Sequence, residues 1–143
     1  MLSLTCQAAI KAVIFLGSKQ NSADKSSIKE IARYIDENEH TVAKLLQKLV
    51  KEKIINSTKG PTGGFYITKE QAQQRVIRVV ETIDGEDVFK KCGLGLSKCN
   101  EAKPCPFHND YKPIREHFKV MCTKKKIYEL QQKVTTGVAY LVG

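Results

Sequence analysis

The sequence predicts a mainly α-helical protein with one small β-hairpin. Apolar residues recur at helical spacing along most of the 143 residues, whereas two short apolar runs flank a Gly- and Pro-rich turn within residues 54–67. Hydrophobic residues make up 41% of the chain, aromatic residues make up 7%, and Trp is absent. This length corresponds to one domain of the usual ~100 to 200 residues, which argues against a multi-domain enzyme.

Three helices are predicted within the first part of the chain. A long apolar run over residues 4–17 predicts a largely buried helix, and the polar residues 18–26 predict a loop. Ser27 and Glu30 have the spacing of a capping box, so a second helix is expected to begin there. Asn38 can cap a third helix, because a new apolar stripe follows it. Two amphipathic helices joined by a tight polar turn form a helix-turn-helix.

A β-hairpin is predicted directly after the third helix. Ile54 and Ile55 form its first strand, the turn sequence NSTKGPTGG follows, and residues 65–67 form the returning strand. A helix-turn-helix followed by such a hairpin is a winged helix. Residues 44–60 hold five lysines and one glutamate, so the third helix and the wing carry a local charge of +4.

The second half of the chain is predicted to be helical around one irregular loop. Thr68 and Gln71 can cap a fourth helix that ends near Gly85. Residues 90–108 show neither strand nor helix periodicity and are predicted to be a loop. Two apolar stripes predict C-terminal helices, with Pro113 at a first turn or a kink. Their positions are Ile114, Phe118 and Met121 in the first stripe and Ile127, Leu130 and Val134 in the second.

These elements divide the chain into three parts. Residues 1–85 are the predicted winged helix-turn-helix domain, residues 86–108 are a cysteine-rich loop, and residues 109–143 are the predicted dimerisation region. The C-terminal helices have no obvious partner within so short a chain, so we expect them to pair with a second copy in a homodimer.

The charge balance points to a polyanionic partner. The net charge is +9 and the isoelectric point is near 9.3, which favours double-stranded DNA. A helix-turn-helix reads base edges with its second helix, and the candidates there are Asn38, His40, Thr41, Lys44 and Lys48. No nucleophile-and-base pairing is recognisable, so we do not expect an enzyme. No stretch approaches the ~20 apolar residues of a membrane span, so we expect a cytoplasmic protein without a membrane partner.

Three of the five cysteines lie in the irregular loop. Cys92, Cys99, Cys105 and His108 follow the pattern C-x6-C-x5-C-x2-H, and thiolates suit soft or borderline metals. Zinc sites usually contain a closely spaced cysteine pair, which this pattern lacks. The open spacing favours an iron-sulfur cluster, while a zinc ion and unmetallated thiols stay open as alternatives. The two remaining cysteines are expected to be small core or interface residues.

Taken together, these features resemble the Rrf-type winged-helix transcription regulators, the bacterial group that includes IscR, NsrR and CymR. The resemblance rests on TKGPTGGFYIT at residues 58–68, on the helical stretch NEHTVAKLLQKLVKEKII before it, and on the three spaced cysteines. It implies a homodimer on a near-palindromic DNA operator, with the third helix in the major groove and the wing at the minor groove. It adds the wing residues Lys59, Gly60, Pro61, Thr62, Gly63 and Gly64 to the candidate DNA-binding set.

The resemblance also implies an iron-sulfur cluster on the three loop cysteines. In the cluster-homeostasis branch a His follows the third Cys by three positions, and His108 stands there. The nitric-oxide-sensing branch can take an acidic residue from the first helix, but residues 6–9 contain none. We therefore expect [2Fe-2S] rather than [4Fe-4S], with His108 as fourth ligand and Cys6 as the alternative. The first cysteine gap is six residues, where both branches usually have five.

The expected function follows from this resemblance. It is an iron-sulfur-dependent regulator, acting as a repressor, that senses cluster status, redox state or nitric oxide. The alternative is a winged-helix DNA-binding protein with a structural zinc ion or a thiol/disulfide switch at the same cysteines. An electron carrier would have no use for a basic helix-turn-helix.

Overall fold

A computed structural model of the chain describes residues 1–19 and 24–143. The helices and strands of these ranges are α1 (Leu4–Ser18), α2 (Ile28–Ile35), α3 (Glu39–Lys51), β1 (Asn56–Thr58), β2 (Gly64–Tyr66), α4 (Val76–Asp84), α5 (His108–Lys124) and α6 (Ile127–Thr135). Short 3-10 turns, Gln71–Gln73 and Glu86–Phe89, flank α4. The predicted fold class, mainly α-helical with one antiparallel hairpin, is confirmed. Within the loop predicted over residues 18–26, residues 20–23 lie outside the described residues.

Side-chain caps begin the two helices of the helix-turn-helix, as predicted. The Ser27 hydroxyl accepts a hydrogen bond from the Glu30 N–H (3.1 Å) and thereby caps α2. The Glu30 carboxylate pairs with Lys19, so the second half of the capping box is not formed. Asp36 ends α2 in the left-handed conformation with φ 55°, which turns the chain sharply toward α3.

The first three helices share one hydrophobic core. Leu45, Leu46 and Leu49 on one side of α3 are at most 1% exposed and belong to the same buried cluster as the inner faces of α1 and α2. Full burial of one such side chain stabilises a fold by about 1.5–3 kcal/mol. Because this side of α3 is held in the core, Lys44 and Lys48 on its other side face the solvent.

The hairpin begins later than predicted. Ile54 and Ile55 are fully buried in the core before β1 starts at Asn56, so their apolar character reflects core packing and not strand pairing. The returning strand also gains a partner that sequence did not predict. The Ser26 N–H donates to the Phe65 carbonyl (2.9 Å), and the Phe65 N–H donates to the Ser26 carbonyl (2.8 Å).

The predicted fourth helix is broken in two. Thr68 and Gln71 do form a reciprocal cap, but it begins only the short 3-10 turn, and α4 starts at Val76. In the folded chain, this break lies beside the break between α5 and α6. The Val76 N–H donates to the Lys125 carbonyl (2.9 Å), and the Ile127 N–H donates to the Gln74 carbonyl (3.0 Å). A tertiary contact therefore overrides the local helical pattern.

The C-terminal helices differ from the expectation in two ways. Helix α6 has a partner within the chain, because it packs against α1 and the Gln131 side-chain amide donates to the Val13 carbonyl (3.1 Å). Of the stripe predicted on α5, Phe118 packs against the buried Phe89, whereas Ile114 and Met121 are 56% and 49% exposed. Across residues 1–19 and 24–143, no helix combines the length and the apolarity needed to cross a membrane.

Candidate functional site

A groove of about 540 Å³ runs along the outer side of α3. Its lining combines hydrogen-bonding side chains with three lysines and includes one residue from the first turn of α1. The lining residues are Thr5, His40, Thr41, Lys44, Leu45, Gln47, Lys48 and Lys51. Leu45 is anchored in the core, so the floor of this positively charged groove is held in place by packing.

The start of α3 uses part of its hydrogen-bonding capacity internally. The Asn38 side-chain oxygen accepts hydrogen bonds from the N–H groups of His40 (2.8 Å) and Thr41 (3.3 Å). This cap leaves the side-chain amide nitrogen of Asn38 as its donor toward solvent. The His40 side chain is exposed beside the groove.

The wing presents four exposed residues on a turn shaped by glycines. Lys59 to Thr62 are exposed, whereas Gly63 and Gly64 are half-buried. The Gly63 N–H donates to the Gly60 carbonyl (2.9 Å), and Gly60 has φ 101°, a conformation that favours glycine. A Cβ atom on Gly63 would lie 2.2 Å from the Thr58 carbonyl oxygen, so this position requires glycine for space.

The four candidate metal ligands come together as two pairs. The Sγ atom of Cys92 lies 3.5 Å from Sγ of Cys105, and Sγ of Cys99 lies 3.3 Å from Nδ1 of His108. Cys92 and Cys99, one member of each pair, line a common cavity of about 350 Å³. Among the residues that the structure describes, no three His, Cys, Asp or Glu side chains meet closely enough to hold a single metal ion.

Backbone hydrogen bonds shape the loop around Cys92. The Leu94 N–H donates to Cys92 Sγ (3.4 Å), and the Gly95 N–H donates to the Cys92 carbonyl (3.0 Å). Hydrogen bonds from the backbone of Leu94 and then of Leu96 lower the pKa of the Cys92 thiol. Because the thiolate is the form that binds metals, this backbone arrangement prepares Cys92 for coordination.

Helix α5 packs against the rest of the cysteine-rich loop. The Tyr111 ring covers Gly93, where a Cβ atom would come within 2.8 Å of the ring. Lys112 forms an ion pair with Glu101, a loop residue that lies between Cys99 and Cys105 in the sequence. Both contacts hold the loop against the same helix that begins with His108.

Arg115 joins α5 to the residues directly before Cys92. Its Nη1 group donates to the carbonyl oxygens of Lys90 (3.0 Å) and Lys91 (2.6 Å). The side chain is buried, and Nε has no hydrogen-bond partner among the described residues. Such a buried donor is commonly completed by a bound ion or water.

Cys6 and Cys122 lie in a second apolar cluster together with Val80 and Phe89. Burial, and next the charge of Asp84, raise the pKa of the Cys6 thiol to about 12. Burial also raises the pKa of the Cys122 thiol. A buried neutral thiol is a poor ligand, so this environment does not favour Cys6 as the fourth ligand.

Sequence reasoning missed the residues that support the two surfaces. Thr5 and Gln47 line the groove, and Gln47 lies one helical turn from Lys44, a spacing that would have found it. Lys112 and Arg115 hold the cysteine loop. Nothing in the sequence signals Arg115, because its partners are backbone carbonyls 24 and 25 residues away.

A helix-turn-helix with a positively charged groove along its second helix, followed by a β-hairpin, is the architecture of a winged-helix DNA-binding protein. The sequence profile of the Rrf2 family, described as "Iron-dependent Transcriptional regulator", matches residues 2–133. The chain therefore belongs to the Rrf2 family of transcriptional regulators.

Similar proteins agree with this assignment. A protein of Aquifex aeolicus (strain VF5), named as an HTH-type transcriptional regulator, is 25% identical over 138 residues, covering 93% of this chain and 94% of the relative. The structure of CymR (YrzC), the global cysteine regulator of B. subtilis, matches with a TM-score of 0.73 at 17% identity, covering 92% of this chain and 96% of that chain. IscR of T. potens matches with a TM-score of 0.70 at 13% identity, covering 98% of this chain and 92% of that chain. At these identities the two solved structures show a shared fold.

Proposed function

We propose that this protein is an iron-sulfur-dependent, sequence-specific DNA-binding regulator that acts as a repressor in the cytoplasm. Cys92, Cys99, Cys105 and His108 hold the cluster, and the signal is its assembly, its oxidation or its reaction with nitric oxide. The observation that carries the proposal is the arrangement of these four side chains in two pairs.

The paired arrangement suits a two-iron cluster. In a [2Fe-2S] cluster each of the two irons takes two protein ligands. The Cys92 and Cys105 sulfurs, 3.5 Å apart, suit one iron, and Cys99 with His108, at 3.3 Å, suits the other. A zinc ion would need all four donors around one point, and a [4Fe-4S] cluster would need one donor at each corner. The grouping of the donors in twos supports [2Fe-2S] over a zinc ion, and the preference over [4Fe-4S] rests on His108 standing three positions after Cys105.

The surroundings also fit a negatively charged centre. Four lysines lie in the loop and are exposed: Lys90, Lys91, Lys98 and Lys103. The buried Arg115 adds a positive charge next to Lys90 and Lys91, at the start of the loop. When bound, the cluster would supply a centre that reacts with oxidants and nitric oxide and orders its ligands by binding them. Tyr111, Lys112 and Arg115 of α5 hold the loop that carries the donors.

The proposed DNA contacts follow the positively charged surface. Asn38, His40 and Thr41 would face base edges in the major groove, while Lys44 and Lys48 would contact phosphates. The wing residues Lys59, Gly60, Pro61, Thr62, Gly63 and Gly64 would approach the minor groove. The local charge of +4 over residues 44–60 supports this orientation.

We propose that α5 forms the homodimer seam. Phe107, Ile114 and Met121 recur every seven residues and are 53%, 56% and 49% exposed. Paired helices bury apolar residues at two positions of each seven, and these three exposed residues occupy one such position, which a second copy of the chain would cover. Such a dimer would present two α3 helices to two half-sites of one operator.

The test is anaerobic purification followed by visible absorption and by assays of iron and acid-labile sulfide. We expect a coloured protein with about two irons and two sulfides per chain. Cys99→Ala should lose the cluster, whereas His108→Cys should keep a cluster with an altered spectrum. Cys122→Ala is the matched control, because Cys122 lies in the core.

Three outcomes would contradict the proposal in different ways. A colourless protein that contains zinc would establish the zinc alternative. Unchanged iron and sulfide in Cys99→Ala would remove Cys99 from the ligands. An unchanged spectrum in His108→Cys would point to another fourth ligand.

The second candidate function is a thiol/disulfide switch at the same loop. The observation that favours it is the 3.5 Å separation of the Cys92 and Cys105 sulfur atoms. An oxidant such as a peroxide would take two protons and two electrons from the two thiols and leave a disulfide and water. A protein that stays iron-free under all anaerobic conditions but changes DNA affinity on oxidation would support this candidate.

A further inference from the structure

Arg115 occupies the centre of the buried side of α5. His108, Arg115 and Cys122 are spaced by seven residues and are 7%, 7% and 2% exposed. The helix therefore turns a candidate ligand, a guanidinium group and a core thiol toward the protein. Burial of an arginine is costly unless its charge is paired and its donors are satisfied.

The partners of Arg115 are two successive peptide carbonyls. Nη1 donates to the carbonyl oxygens of Lys90 and Lys91, and Cys92 is the next residue. Two hydrogen bonds to adjacent peptide groups fix the direction in which the chain enters the loop. They also fix the starting point of the Cys92 side chain, which lies beside Cys105.

The charge on Arg115 lacks an anionic partner in the described part of the chain. Its hydrogen bonds go to neutral carbonyls, and Nε is buried without an acceptor there. A buried cation with a spare donor, bonded to the two peptide groups directly before Cys92, fits a site that becomes anionic when the loop thiols coordinate a metal centre.

We propose that Arg115 is the positioning residue of the cysteine site. It holds the start of the loop on α5, so that Cys92 stays paired with Cys105, and it supplies a buried positive charge to the anionic centre. The second role rests on the proposed function. The first role concerns the iron-free protein and stands independently of the cluster.

This assignment ties the cysteine site to the proposed dimer seam. The helix that Arg115 anchors to the loop also carries Ile114 and Met121 on its exposed side, and Phe107 directly precedes its first residue. A movement of Lys90 and Lys91 therefore changes their position relative to α5. Arg115 is the contact between α5 and the residues directly before Cys92, and it transmits a displacement of Cys92 to the helix.

The first test measures amide hydrogen exchange in the iron-free protein. Arg115→Met should accelerate exchange by about tenfold or more at Leu94 and Gly95, whose N–H groups bond to Cys92. Arg115→Lys should give an intermediate rate, because an ammonium group can still donate to a carbonyl. Arg75→Met is the matched control, since Arg75 donates to the Lys124 carbonyl at the other end of α5 (2.8 Å) and should leave Leu94 and Gly95 unchanged.

The second test measures the reduction potential of the loaded protein. Reduction adds negative charge to the site, so removal of a nearby positive charge should lower the potential. Arg115→Met should therefore have a lower potential than wild type. Arg115→Lys should stay close to wild type because it keeps the charge, and this rescue separates the electrostatic role from the positioning role.

Each outcome decides one part of the proposal. Exchange at Leu94 and Gly95 that stays at the wild-type rate in Arg115→Met would overturn the positioning role. An unchanged potential in Arg115→Met would overturn the electrostatic role. Exchange that rises throughout α1 to α3 would indicate global unfolding, and Arg115→Lys then decides the positioning role. A wild-type protein that binds no iron would refute the proposed function, while the exchange test would still decide whether Arg115 holds the loop.

Discussion

Sγ of Cys92 lies 3.5 Å from Sγ of Cys105, although the two cysteines are thirteen positions apart in the chain. Cys99, which lies between them in sequence, contacts His108 instead. Since a disulfide requires about 2.05 Å between sulfur atoms, a small movement would join Cys92 to Cys105. The loop therefore favours one of the three disulfides that its cysteines allow.

Mild peroxide oxidation of the iron-free protein should form the Cys92–Cys105 disulfide. Peptide mapping by mass spectrometry without reduction would identify the linked peptides. Cys99→Ser should form the same disulfide, because Cys99 is paired with His108. A product linked mainly through Cys99 would contradict the arrangement of the loop.

Stability should fall at alkaline pH because of Cys6. In the unfolded chain this thiol ionises near its ordinary pKa of 9.0, whereas folding raises its pKa to about 12. Between these values the unfolded state binds fewer protons, so the free energy of unfolding decreases as pH rises, by at most about 1.4 kcal/mol per pH unit. Urea unfolding at pH 8, 9 and 10 should show a steeper decrease for wild type than for Cys6→Ala. Lysine and tyrosine ionisation affects both proteins, so equal slopes would show that Cys6 ionises normally in the fold.

DNA binding should depend on salt through the lysines of α3. Lys44→Ala and Lys48→Ala should each weaken binding to duplex DNA of mixed sequence and reduce the slope of log affinity against log salt by about 1. Fluorescence anisotropy at several salt concentrations would measure the slope. The control is Lys133→Ala, because Lys133 is exposed on α6 and outside the groove. A slope that matches wild type in both α3 variants would remove these lysines from the phosphate contacts.

The wing should tolerate change at its tip but not at Gly63. A Cβ atom there would lie 2.2 Å from the Thr58 carbonyl, so Gly63→Ala must displace backbone, at a cost of about 1–3 kcal/mol. Thr62→Ala, at the exposed neighbouring position, should change stability by less than about 0.5 kcal/mol. Urea unfolding compares the two variants, and similar stabilities would mean that the turn adapts without strain.

Local patterns in the sequence were sufficient to predict the helix-turn-helix. Ser27 and Asn38 cap α2 and α3 as predicted, because capping depends on residues three or fewer positions apart. The errors arise where distant residues decide the structure. Ile54 and Ile55 precede the strand because they are buried in the hydrophobic core. The helix break before Val76 is stabilised by the hydrogen bond from the Val76 N–H to the Lys125 carbonyl.

The candidate site shows the same division. The types and spacing of Cys92, Cys99, Cys105 and His108 were sufficient to single them out as possible ligands. Which donor stands beside which depends on the path of the loop over α5, and this path depends on contacts such as Tyr111 over Gly93. Contacts of this kind carry no periodic signal, because loop geometry is set by tertiary packing.

The paired helix breaks have an evolutionary consequence. Peptide hydrogen bonds join Gln74 and Val76 to the residues between α5 and α6, and the Gln74 side chain donates to the Ile54 carbonyl ahead of the wing (3.2 Å). Every residue except proline supplies a peptide N–H, so the two backbone links survive most substitutions, whereas the link to Ile54 requires the Gln74 side chain. The start of α4 can thus stay joined to the α5–α6 break while the side chains around it diverge.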